Sequence, residues 1–159
     1  MASYQQGKRL AAVVFGGMLA IVIGGCAINQ PAGRDNSPIS VPANRTAPLA
    51  LSGTQEVPPI TTEALGTGSF EISPDKSING VVATSGILAT AAHIHEGAVG
   101  GNGPVIVPLT KTGDNTWSVA PNTKLTDSQH ASYLAGNLYV NVHSTKYPDG
   151  EIRDQLKPK

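Results

Sequence analysis

The chain has 159 residues, and its Lys+Arg 11 balance its Asp+Glu 11 at zero formal charge, so it lacks the basic stripe of a nucleic-acid surface. Aromatic residues make up 4% of it, too few for an aromatic carbohydrate platform, and its single cysteine leaves no intrachain disulfide.

The first segment reads as a targeting sequence. Lys8 and Arg9 form a basic n-region, and Leu10 to Ile23 is an apolar run without a charge. That run is roughly fourteen residues long, suited to a signal-peptide core and short of the about 20 that a membrane span requires. It ends in Ile23-Gly24-Gly25-Cys26, which resembles the bacterial lipoprotein processing site. The resemblance implies a lipoprotein signal peptide over residues 1–25 and a diacylglycerol thioether on Cys26, with palmitate among three acyl chains. An ordinary secretory peptide and an uncleaved anchor are the alternatives. The expected location is extracytoplasmic, lipid-anchored to a membrane of the bacterial envelope. Ala27 replaces the aspartate associated with inner-membrane retention, which points to the outer membrane, facing the periplasm, in a diderm cell. Prolines at 31, 38, 42 and 48 among Asn, Ser and Ala then predict a flexible tether over residues 26–48.

The remaining stretch, about 110 residues, is the size of one domain. Leu65 to Ser73 reads as a strand with Phe70 and Ile72 on one face. Pro74-Asp75-Lys76 reads as a turn, and Ser77 to Ile87 returns as the second arm of a hairpin. Ala91 to His95 is a short strand, followed by a loop over Glu96 to Pro104 that contains Gly97, Gly100, Gly101 and Gly103. Val105 to Leu109 is a further strand, Lys111 to Asn115 a turn and Thr116 to Val119 another strand. Thr126-Asp127-Ser128-Gln129 is a capping-box sequence, with Gly136 as the helix stop. Leu138 to Ser144 alternates, placing Leu138, Val140 and Val142 on one face and Tyr139, Asn141 and His143 on the other. After a turn at Tyr147-Pro148-Asp149-Gly150, Glu151 to Leu156 closes the domain. Ile152 and Leu156 face the core, and Glu151, Arg153 and Gln155 lie opposite. The predicted class is all-β: an antiparallel Greek-key sandwich or barrel of about eight strands with one short helix.

Gly53-Thr54-Gln55-Glu56-Val57-Pro58-Pro59 resembles the opening of the CHRD domain, the module named after chordin. Ala91 to His95, Gly103 to Leu109, Leu138 to Ser144 and Gly150 to Leu156 match its later blocks in order. Asp154 stands where the family usually has glycine. The resemblance spans residues 49–157 and implies an antiparallel β-sandwich or barrel, but no defined activity. Chordin's growth-factor partners do not transfer to a bacterial lipoprotein. The His-x-His strand is also similar to the copper strand of copper/zinc superoxide dismutases, which implies His93 and His95 as copper ligands.

His93 and His95 leave their strand on one face with Ile94 opposed, and His143 lies on another apolar strand. Imidazoles in this pattern suit copper, with zinc second. The plain alternative has these rings bonded to backbone carbonyls or to Glu56, Glu96 or Glu151. Asn141 is read as orienting a ligand or satisfying a loop. Arg153 is read as pairing with Glu56 or as steering anions, and His130 as a surface or packing residue. Three functions stay open. One is a membrane-anchored, non-catalytic module that binds a metal or a protein partner. The second is a superoxide dismutase-like copper enzyme, disfavoured by the missing zinc-loop ligands and disulfide. The third is a metal-free structural or adhesive envelope domain.

Overall fold

The structure, a computed structural model, describes residues 44–158. The expected signal peptide, Cys26 and the tether up to residue 43 lie outside the described residues.

Nine strands follow in chain order: β1 Asn44–Arg45, β2 Leu49–Ser52, β3 Leu65–Ile72, β4 Ile78–Ser85, β5 Ala89–Glu96, β6 Val105–Gly113, β7 Thr116–Val119, β8 Leu138–Ser144 and β9 Ile152–Leu156. One helix, α1 Asp127–Leu134, lies between β7 and β8. All pairings are antiparallel. The order β3-β2-β9-β8-β5-β6-β7-β4, with β4 returning to β3, closes an eight-stranded barrel, while β1 flanks β3. The order β8-β5-β6-β7 within it is a Greek key, in which the fourth strand returns beside the first. The long return carries α1.

Local chemistry explains the elements. In the β3–β4 hairpin, Asp75 accepts from the backbone N–H and the hydroxyl of Ser77, and Lys76 takes the left-handed conformation at φ 69°. Ile78, Val82 and Thr84 point inward while Val81 and Ala83 are exposed. The reciprocal capping box of Thr126 and Gln129 starts α1, and Gly136, at φ 76°, stands just past its end. The expected turn over Lys111 to Asn115 is shorter than predicted. β6 runs on to Gly113, and Lys111 pairs with Trp117. Those extra residues are exposed, so no apolar alternation marked them as strand.

The ladder is thinnest where β2 meets β9, at the single register pair Ser52 and Arg153. Asp154 strengthens that seam. Its carboxylate accepts from the backbone N–H of Ala50 at 2.8 Å and from that of Gln155 at 2.8 Å. A glycine there could supply neither bond.

The barrel interior holds Leu51, Ile72, Val82, Ile94, Val140, Ile152 and Leu156, with Phe70 and Trp117. Alternation along β8 and β9 is as expected, but every residue of both strands is buried. Their outward face is roofed by the Gly-rich loop, whose carbonyls accept from Arg153 and Gln155. Polar side chains on that face therefore sit in a second, outer layer beneath a loop.

Candidate metal centre

The outer face of β5 and β8 carries the histidines. Register places His93 opposite Asn141, His95 opposite Tyr139, and His143 opposite Ala91. Neighbouring strands thus bring together residues fifty positions apart. One nitrogen from each of His93, His95 and His143 lies within 4.8 Å of the others, and this is the one His/Cys/Asp/Glu cluster of metal-binding shape among the described residues. The nearest approach, His93 Nδ1 to His143 Nε2, is 2.9 Å. That is the spacing of a hydrogen bond; two nitrogens bound tetrahedrally to one metal, with bonds of about 2.0–2.1 Å, stand about 3.3 Å apart, a few tenths of an ångström wider.

Backbone carbonyls set two of the rings. His95 Nδ1 is 2.9 Å from the carbonyl oxygen of Gly103, and His143 Nδ1 is 2.8 Å from that of Pro148. A carbonyl only accepts, so each Nδ1 carries the proton and each neutral ring keeps its lone pair on Nε2. Such outer contacts orient metal-ligating histidines. His143 Nε2 accepts the hydrogen bond of His93 Nδ1–H, whereas His95 Nε2 is buried beside the Asn141 side chain with no hydrogen bond of good geometry. An unsatisfied buried lone pair is costly, and a cation would satisfy it.

Electrostatics keeps the site ready for a cation. Burial, followed by the His143 and His95 charges, holds His93 below the usual imidazole range. Burial also lowers His95, against the opposing bond to Gly103. Neutral rings are the ligating form.

The surroundings of the site differ in part from the expectations. Glu151 accepts from Thr62 Oγ1 at 2.6 Å and from Ser144 Oγ, and Glu96 accepts from Ser132 at 2.5 Å. None of these carboxylates bonds a histidine among the described residues. Asn141 lies beside His95, and its amide donates to the Asp149 carbonyl at 3.4 Å. Glu56 and Arg153 form no ion pair within 4 Å among the described residues; Glu56 feels Arg153 only through space. Burial dominates and pushes the Glu56 carboxyl up to about 7. Arg153 is 1% exposed, so it presents no charge to solvent with which to steer anions. His130 stays on α1, its ring 6.3 Å from that of Tyr133.

Tyr139, which the alternation of β8 places on the His143 face, organises the layer. Its ring stacks on His95 with centroids 4.8 Å apart and planes at 10°. Arg153 Cζ lies 3.4 Å from its centroid, and its hydroxyl accepts from the Gly103 N–H at 3.2 Å. The i to i+2 spacing Tyr139–Asn141–His143 is the signal that could have found it.

Across residues 47–156 the chain matches the sequence model of the CHRD domain. It belongs to the CHRD domain family. The histidine pair, the Gly103 carbonyl, His143 and Arg153 all fall inside that CHRD domain. No curated protein and no solved structure matches the chain.

Proposed function

We propose that this CHRD domain is a non-catalytic metal-binding module, with copper as its ion, held on the outside of a bacterial envelope membrane by a lipid on Cys26. The observation that carries the metal reading is the approach of three imidazole nitrogens within 4.8 Å, with His95 and His143 held by backbone carbonyls so that Nε2 of each is the unprotonated nitrogen. Imidazole donors suit copper and zinc. Among the described residues no nucleophile–base pair joins the three imidazoles in one cluster, which favours holding a metal over turning over a substrate. The anchor rests on the apolar run that ends at Cys26.

Titration of the full-length protein with copper and zinc salts tests the site. His95→Ala and His143→Ala should each weaken binding by at least about tenfold; unchanged affinity in both would remove the site. Labelled palmitate should enter the wild-type chain and not Cys26→Ser; equal labelling would remove the anchor.

A further inference from the structure

We propose that the histidine cluster selects monovalent over divalent copper, because the permanent positive charge of Arg153 is buried one aromatic ring behind His95. This rests on the metal-binding reading above and names the oxidation state which that reading leaves open.

The charge is fixed and close. A guanidinium stays protonated in proteins. Arg153 Cζ lies 3.4 Å from the Tyr139 centroid, and the far face of the relay is His95, stacked on Tyr139 at 4.8 Å. Among the described residues the four hydrogen-bond acceptors of Arg153 are neutral: the carbonyls of Gly101 at 2.8 Å and Ala98 at 3.4 Å, Asn102 Oδ1 at 3.1 Å and Gln155 Oε1 at 3.5 Å. No carboxylate reaches it within 4 Å among the described residues. Glu56 is the nearby acid that could offset the charge, but it stands beyond ion-pair distance, and burial raises its carboxyl to about 7, so it is only part ionised at neutral pH.

The ligands add no compensation. Three imidazoles are uncharged donors, and the described residues place no carboxylate or thiolate in the cluster. The repulsion between Arg153 and a bound ion scales with the charge of that ion, so a divalent metal pays twice what a monovalent one does. Burial of the stack keeps salt from screening this difference.

The test uses full-length protein and competition against chelators of known affinity: Cu(I) kept reduced with ascorbate, Ag(I) as a redox-inert monovalent ion, and Cu(II) and Zn(II) separately. The monovalent ions should bind at least tenfold tighter than the divalent ones. Arg153→Gln should lower the ratio of Cu(I) to Cu(II) affinity about tenfold, a fall of about 59 mV in the bound one-electron couple. Arg153→Lys should keep most of the ratio. If Arg153→Gln fails to fold, Glu56→Gln serves instead. Measured at about pH 8.5, where the native carboxyl is ionised, it removes a counter-charge and should raise the ratio. Binding of none of the four ions would overturn the metal reading itself. Tighter Cu(II) or Zn(II) binding, or a ratio indifferent to the charge changes, would overturn the selectivity alone.

Discussion

His93 Nδ1 and His143 Nε2 face each other at 2.9 Å across the β5–β8 ladder. In the neutral pair His93 Nδ1–H donates to His143 Nε2, and a metal held by both nitrogens would require that proton to move to His93 Nε2. The hydrogen bond therefore serves as the ion-free form of the site, holding both rings near their ligating positions.

Metal addition should raise thermal stability, because an ion bound only by the native state shifts unfolding by about 2.7 kcal/mol at one hundred times its Kd. A melting scan with copper and with chelator measures it. His93→Ala should retain the fold, since His93 is only half-buried, and should abolish the metal-induced shift. A shift that survives in His93→Ala would place the ion elsewhere.

Two opposing pH dependences are expected. The folded pKa values of His93 and His95 lie below the usual 6.5. The unfolded chain therefore binds more protons just below that value, and stability contributed by these rings is lost as pH falls through 6.5. Glu56 acts with the other sign. Its folded pKa is about 7 against the usual 4.5, so the folded state binds the extra proton and stability falls as pH rises across that window. Glu56→Gln should thus gain melting temperature over wild type between about pH 5 and pH 8. A constant difference across that range would refute the assignment.

Gly103 ties the loop to the site. A Cβ there would stand 1.7 Å from the Glu96 carbonyl oxygen, so Gly103→Ala must displace the segment whose carbonyl orients His95. A loss of about 2–3 kcal/mol is expected, with metal affinity falling about 10- to 100-fold. Gly101→Ala is the control. Its nearest neighbour would be the Ala98 oxygen at 3.6 Å, and stability should change by less than about 0.5 kcal/mol. Chemical denaturation of both variants, with metal titrations, checks the pair.

Asp154→Ala should weaken the β2–β9 seam by about 1–2 kcal/mol, because the Ala50 and Gln155 amides lose their acceptor. Hydrogen exchange at Ala50 should accelerate more than exchange in the β3–β4 hairpin. Equal protection in the variant would show that the ladder closes without the carboxylate.

Much of this layout is legible in the chain. Alternation over Leu138 to Ser144 gives the two faces of β8, and His-x-His gives the shared face of β5, because both follow from a period of two. The adjacency of β5 and β8 is not legible. It depends on a return connection that carries α1 past β6 and β7, and no local signal encodes which strands become neighbours. The carbonyls of Gly103 and Pro148 escape for a related reason: backbone acceptors carry no residue-type signature. Arg153 misleads in the sequence. A charge on a strand opposite the core normally faces water, and only the loop folded over β9 reverses that expectation.

Closure of the ring has a further bearing on how the domain meets other molecules. Each strand of the eight is flanked by two others, and at the sparsely joined seam Asp154 already occupies the Ala50 amide. Among the described residues, the eight strands of the ring leave no open edge for an arriving polypeptide to extend, and the flanking β1 is two residues long. Many copies could therefore be packed side by side without templating one another into fibres, and recognition falls to loops and side chains.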